Sequence, residues 1–93
     1  MSNYEIVFII SPEVADDEVT NVVSRVSELV SKVGGNVTEV SQWGRKKMTY
    51  PIKKYAEGNY VQAQFELEPG LVKELETKLR LSSEVLRHLL IRL

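Results

Sequence analysis

"NYVQAQFELE", residues 59–68, decides the fold. Val61, Ala63, Phe65 and Leu67 alternate with Tyr60, Gln62, Gln64 and Glu66, and a period of two is the pattern of a strand with one buried and one polar face. The polar set is therefore a candidate contact surface. Upstream, "KYAEG" (residues 54–58) reads as a turn, and before it "NVTEVSQWGRKKMTYPI" (residues 36–52) reads as a long strand carried by Val37, Thr38, Val40, Trp43, Met48, Tyr50 and Ile52. Gly44 is placed for a bulge or bend in that strand. The two strands make a hairpin at the centre of the chain.

On either side of the hairpin the apolar period lengthens. Val19, Val22, Val23, Val26, Leu29, Val30 and Val33 recur at three and four residues, the stripe of an amphipathic helix, and this spacing outweighs the strand preference of valine. Glu13, Asp16, Asp17 and Glu18 suit its first turns, where negative charge meets the helix dipole, and Gly34-Gly35 suits its stop. Pro69 opens a second helix with Leu71, Val72, Leu75 and Leu79 as its apolar face. Outermost lie "YEIVFII" (residues 4–10), a strand ended by Ser11-Pro12, and "EVLRHLLIRL" (residues 84–93), whose place after a helix and Ser82-Ser83 makes it a closing strand. The nearly all-apolar first strand belongs at the middle of a sheet. The order β-α-β-β-α-β with right-handed crossovers predicts an α+β, ferredoxin-like split βαβ fold: a four-stranded antiparallel sheet with both helices on one face and the other face open. Residues 1–93 form a single domain of that kind.

Composition narrows the function without naming it. The chain has 43% apolar and 27% charged residues, no cysteine and a formal net charge of −1, which fits a folded protein of a reducing compartment. Its longest apolar run, "IVFII" (residues 6–10), is far below the roughly 20 residues that span a bilayer, so a cytoplasmic protein with no membrane partner is expected. Catalytic chemistry is hard to assemble. His88 is the single histidine and stands without a second ligand, so a structural or surface role is expected for it; the serines have no nucleophile-elbow context, and no phosphate-binding glycine loop occurs. Acylphosphatases share the inferred architecture, but they need a basic, glycine-rich cradle after the first strand, where this chain reads "IISPEVADD" (residues 9–17). No enzyme activity, cofactor, metal or small-molecule substrate is expected.

The charge is unevenly spread. "WGRKKMTYPIKK" (residues 43–54) carries Arg45, Lys46, Lys47, Lys53 and Lys54, five of the twelve bases, and none of the thirteen acids. Within the segment no acid screens them. Trp43, Tyr50 and, just beyond, Tyr55 are interleaved with the cations, the combination with which a protein holds phosphates while bases or riboses pack on rings. Strand alternation sends Arg45 and Lys47 one way and Lys46 the other. The segment is the candidate binding surface, and a basic patch on an acidic body binds a polyanion in one orientation.

"GRKKMTYPIK" (residues 44–53) resembles the signature of the family of the sixth protein of the bacterial small ribosomal subunit: a glycine, basic positions, then an apolar-small-Tyr-x-Ile-basic run. Met48 and Thr49 stand where leucine and serine or alanine are commoner. The likeness extends through "YEIVFIISPE" (residues 4–13), "GGNV" (residues 34–37), "EGNYVQAQFEL" (residues 57–67) and "EVLRHLLIR" (residues 84–92). The resemblance implies the fold inferred above and a ribosomal, RNA-binding protein without catalysis. It further implies binding to the central domain of small-subunit ribosomal RNA as a heterodimer with a small basic partner, the eighteenth protein of that subunit. By resemblance Tyr4, Lys46, Lys47 and Arg87 are RNA or partner contacts, joining Trp43, Arg45, Tyr50, Lys53 and Lys54. An RNA-recognition-motif-like or protein-binding ferredoxin-like module is the alternative; against the first, Tyr60 alone lies on the outward face of the third strand, where two stacking aromatics are needed.

Overall fold

A computed structural model describes residues 1–52 and 54–93, and Lys53 lies outside the described residues. The elements are β1 (Ser2–Ile10), α1 (Val19–Lys32), β2 (Asn36–Ile52), β3 (Tyr55–Leu67), α2 (Val72–Arg80) and β4 (Val85–Arg92), with short 3-10 turns at Asp16–Glu18 and Pro69–Leu71 leading into the helices. The four strands form one antiparallel sheet in the order β2-β3-β1-β4, so the apolar first strand is central, as its sequence requires. Among the described residues no helix is long and apolar enough to cross a membrane.

Alternation sets the two faces. Ile6, Phe8 and Ile10 of β1 and Val61, Phe65 and Leu67 of β3 are almost wholly buried with Val22, Val26 and Val30 of α1 and Leu75 and Leu79 of α2. Both helices therefore cover the same side of the sheet. The valine stripe of α1 performs as the period predicts, because each valine gains burial against the sheet that outweighs its stiff side chain. His88, on β4, places Nε2 3.0 Å from Glu76 Oε2 of α2 and so joins the last strand to the second helix.

Two sequence expectations are corrected. The turn predicted over residues 54–58 is shorter, since β3 already begins at Tyr55, which faces Ile52 across the hairpin. The acids before the first helix do not occupy its own first turn: Asp16, Asp17 and Glu18 form the 3-10 turn ahead of it. Tyr4, a contact by resemblance, lies in the core: the residue is 4% exposed and its ring stacks on Phe65 with centroids 5.6 Å apart.

β1 supports β3 only as far as the pair Ile10–Asn59. Beyond it β2 and β3 pair with each other alone and form a two-stranded ribbon running away from the sheet. The ribbon is bent where glycine permits it. Gly44 has φ +85 beside the register break at Gln42/Gly44, so Trp43 is the extra, unpaired residue of a bulge. Further out, Met48 to Pro51 stand opposite Ala56 alone, between the pairs Lys47–Glu57 and Ile52–Tyr55; Pro51 has no N–H to give a ladder, so a bulge is where it can sit. At the root of the ribbon Gly58 admits no side chain, since a Cβ there would lie 2.5 Å from Ile9 Cγ2 and 2.9 Å from the Ile10 carbonyl oxygen.

Leu75→Ala is expected to lower the unfolding free energy by about 2–5 kcal/mol, because Leu75 is fully buried between α2 and the sheet. Gly58→Ala should also destabilise, by forcing β1 and β3 apart. Urea denaturation followed by circular dichroism measures both, and a loss below about 1 kcal/mol for Leu75→Ala would contradict the packing described.

Candidate nucleic-acid interface

The ribbon is what positions the basic segment. Lys46 pairs with Gly58 and Lys47 with Glu57, and directly opposed residues share a face. Lys46 therefore lies on the open-sheet side with Tyr60, while Arg45 and Lys47 lie on the helix side with Glu57 and Asn59. Lys46 Nζ sits 5.4 Å from the centroid of the Trp43 ring, which is 43% exposed at the bulge. Near the turn Lys54 Nζ stands 5.9 Å from the centroid of Tyr55. Both distances fall within cation–π range. Tyr50 is 79% exposed on the outer bulge of β2.

Arg45 departs from expectation. Its Nη2 donates to Asp16 Oδ1 at 3.1 Å and its Nη1 to Glu57 Oε1 at 3.1 Å. These two hydrogen bonds, the one to Asp16 the stronger, hold its pKa above the ordinary guanidinium value. The absence of acids in the segment itself thus did not leave all its bases unscreened, for the carboxylates arrive from β3 and from the turn before α1. The four described bases of the segment do not make one continuous patch. Among the described residues, Lys46, Lys47 and Lys54 take part in no ion pair, whereas Arg45 takes part in two.

Arg87 reaches the same neighbourhood by register. Arg87 of β4 faces Ile9, Ile9 faces Tyr60, and Tyr60 faces Gly44, a single row across all four strands on the open face. Adjacent strands lie about 4.8 Å apart, so Arg87 stands about 15 Å from β2 with Tyr60 between. The ribbon end of the open face therefore gathers Arg87, Tyr60, Trp43 and Lys46. The opposite end is acidic: Glu5, Glu39 and Glu66 share that face around Gln64. Glu5 accepts from the Gln62 side chain, and Glu66 Oε1 accepts from Asn36 Nδ2 at 3.4 Å. On β4 Leu89 lies between the two ends and Ile91 faces Glu5; they are 63% and 44% exposed.

Sequence reasoning missed Glu13, Asp16 and Glu57. Only the Glu57 contact had a usable signal, since it sits diagonally across the hairpin once the register is known; Asp16 is 29 residues from Arg45. The Glu13 carboxylate, as an acceptor for the phenol proton and as a charge, favours the protonated Tyr55; with partial burial, and against the Ser11 hydroxyl, it raises the phenol pKa above 10.0. No group of three or more His, Cys, Asp and Glu side chains among the described residues could hold a metal ion.

Comparison with known proteins adds an independent line. The model of the family described as ribosomal protein S6 matches residues 3–92. The small ribosomal subunit protein bS6 of Moorella thermoacetica is 44% identical over 93 residues, covering 100% of this chain and 95% of the relative. Its counterpart in Desulforamulus reducens is 37% identical over 92 residues, covering 99% and 97%. The crystal structure of 30S ribosomal protein S6 from Thermotoga maritima superposes with a TM-score of 0.91 at 33% identity, over 99% of this chain and 87% of that one.

The raised phenol pKa gives a pH signature. Below pH 10 both folded and unfolded chains keep the Tyr55 proton; above it the unfolded chain loses the proton first, so the stability contributed by the protonated phenol fades as pH rises from 10.0 through the folded value. The Tyr55 ring resonances are expected to titrate above pH 10.0, and Glu13→Gln to move their midpoint down toward that value. An unmoved midpoint would remove Glu13 as the cause.

Proposed function

The chain belongs to the ribosomal protein S6 family, and from that premise we propose that it is a component of the small ribosomal subunit in the cytoplasm. There it binds the central domain of small-subunit ribosomal RNA together with the small basic eighteenth protein of the subunit, and aids assembly without catalysing a reaction. The observation that carries this reading is the set of uncompensated lysines, Lys46, Lys47 and Lys54, on a ribbon that leaves the body of an otherwise acidic protein. Phosphates would meet these cations and Arg87, and riboses or unstacked bases would pack on Trp43, Tyr50 and Tyr60. Lys53, in the same segment, belongs to the proposed set by sequence. With cations on both sides of a narrow ribbon, the surface suits a groove or junction of folded RNA better than a flat strand, so discrimination rests on shape.

The partner would use a different surface. Glu5, Glu39 and Glu66 at the far end of the open face would repel phosphate and attract a basic protein, and exposed Leu89 and Ile91 supply apolar area beside them. RNA at the ribbon and protein on the sheet could then be held at once, each binding event orienting the chain for the other.

Titration of a central-domain RNA fragment, with and without the basic partner, tests this. Binding is expected to be weak alone and tighter with the partner, and Lys46→Glu/Lys47→Glu is expected to weaken it by about tenfold or more. Tight, partner-independent binding to short single strands would instead support a recognition-motif-like module.

A further inference from the structure

We infer that the acidic loop between β1 and α1 is a latch for the ribbon, and that Arg45 serves RNA binding as a positioning residue instead of as a phosphate contact. The inference rests on the reading of the ribbon as an RNA-binding element. Past Asn59 the ribbon has no third strand, and two strands alone twist and flex more than a sheet does. Something must fix its angle to the body. The loop reaches both strands through Arg45: Asp16 Oδ1 accepts from Arg45 of β2 at 3.1 Å, and the same guanidinium donates through Nη1 to Glu57 of β3.

The loop is itself anchored. Ser11 N–H donates to the Glu84 carbonyl at the head of β4 (2.8 Å), Val14 N–H donates to the Ser11 carbonyl (3.1 Å), and Glu13 N–H donates to Ser11 Oγ (3.2 Å). Glu57 completes the cross-strand side of the latch at 3.1 Å from Arg45 Nη1. Arg45 keeps N–H donors beyond the two committed to carboxylates, but its charge is already opposed by two anions, and a phosphate drawn to it would meet Asp16 and Glu57 as well. Lys46 and Lys47 follow directly in the chain, so holding Arg45 places them. The acids that made this junction unfit for an anion cradle acquire a role as the fixed end of a strut.

The test turns on a sign. Asp16→Asn/Glu57→Gln removes two negative charges, which by the protein's field alone strengthens RNA binding; loss of the latch weakens it, by about threefold, the scale of a pair of exposed ion contacts. Arg45→Met is expected to weaken binding similarly while leaving the slope of log K against log salt unchanged, whereas a lost phosphate contact lowers that slope by about 0.7–0.9. Tighter binding by the first variant, or a lowered slope in the second, overturns the inference. Trp43, the single tryptophan, reports the ribbon without RNA: its fluorescence anisotropy should fall in both variants while circular dichroism stays that of the folded protein. If the parent chain binds no ribosomal RNA, the proposed function fails, and the anisotropy alone decides the latch, unchanged values overturning it.

Discussion

Third-strand support for the central hairpin stops at the pair Ile10–Asn59, and the molecule is organised around that limit. β1 cannot continue, because Ser11-Pro12 turns the chain toward the helix and its N–H at Ser11 is spent on Glu84. β2 and β3 are longer than β1 and continue without it. Up to the limit there is a sheet with one face buried by two helices; past it there is a two-stranded ribbon whose Arg45 side is touched by the β1–α1 loop. Gly58 sits at the crossing point, where β1 and β3 approach too closely for a side chain.

The separation between body and ribbon is also electrostatic. A chain of net charge −1 would repel a polyanion if its charges were mixed evenly. Here lysines occupy the ribbon, while Glu5, Glu39 and Glu66 occupy the far end of the open sheet face. The boundary is Arg45, whose two carboxylate partners come from the body side and the facing strand. Its pairs are exposed and contribute little to global stability, so their consequence lies in the angle of the ribbon and not in the melting of the domain. The core, with Phe8, Phe65, Leu67 and Leu75 buried almost completely, is stable on its own account.

The sequence by itself determined the element order, the central place of the first strand, which face of β3 is buried, the bend at Gly44 and the concentration of bases in residues 43–54. These follow from local causes: side-chain period, backbone freedom at glycine, and charge written consecutively along the chain. Tertiary structure alone decided which bases are available. Arg45 and Lys46 are neighbours in sequence, yet one is held by Asp16 and Glu57 and the other rests over Trp43; Tyr4, which resemblance places among the contacts, lies in the core against Phe65. Arg87 joins Lys46 only through the register of three strand pairings. The physical reason is that charge neutralisation and stacking act over a few ångströms, and partners at that distance here lie up to tens of residues apart along the chain, so the fold must form before their pairing exists.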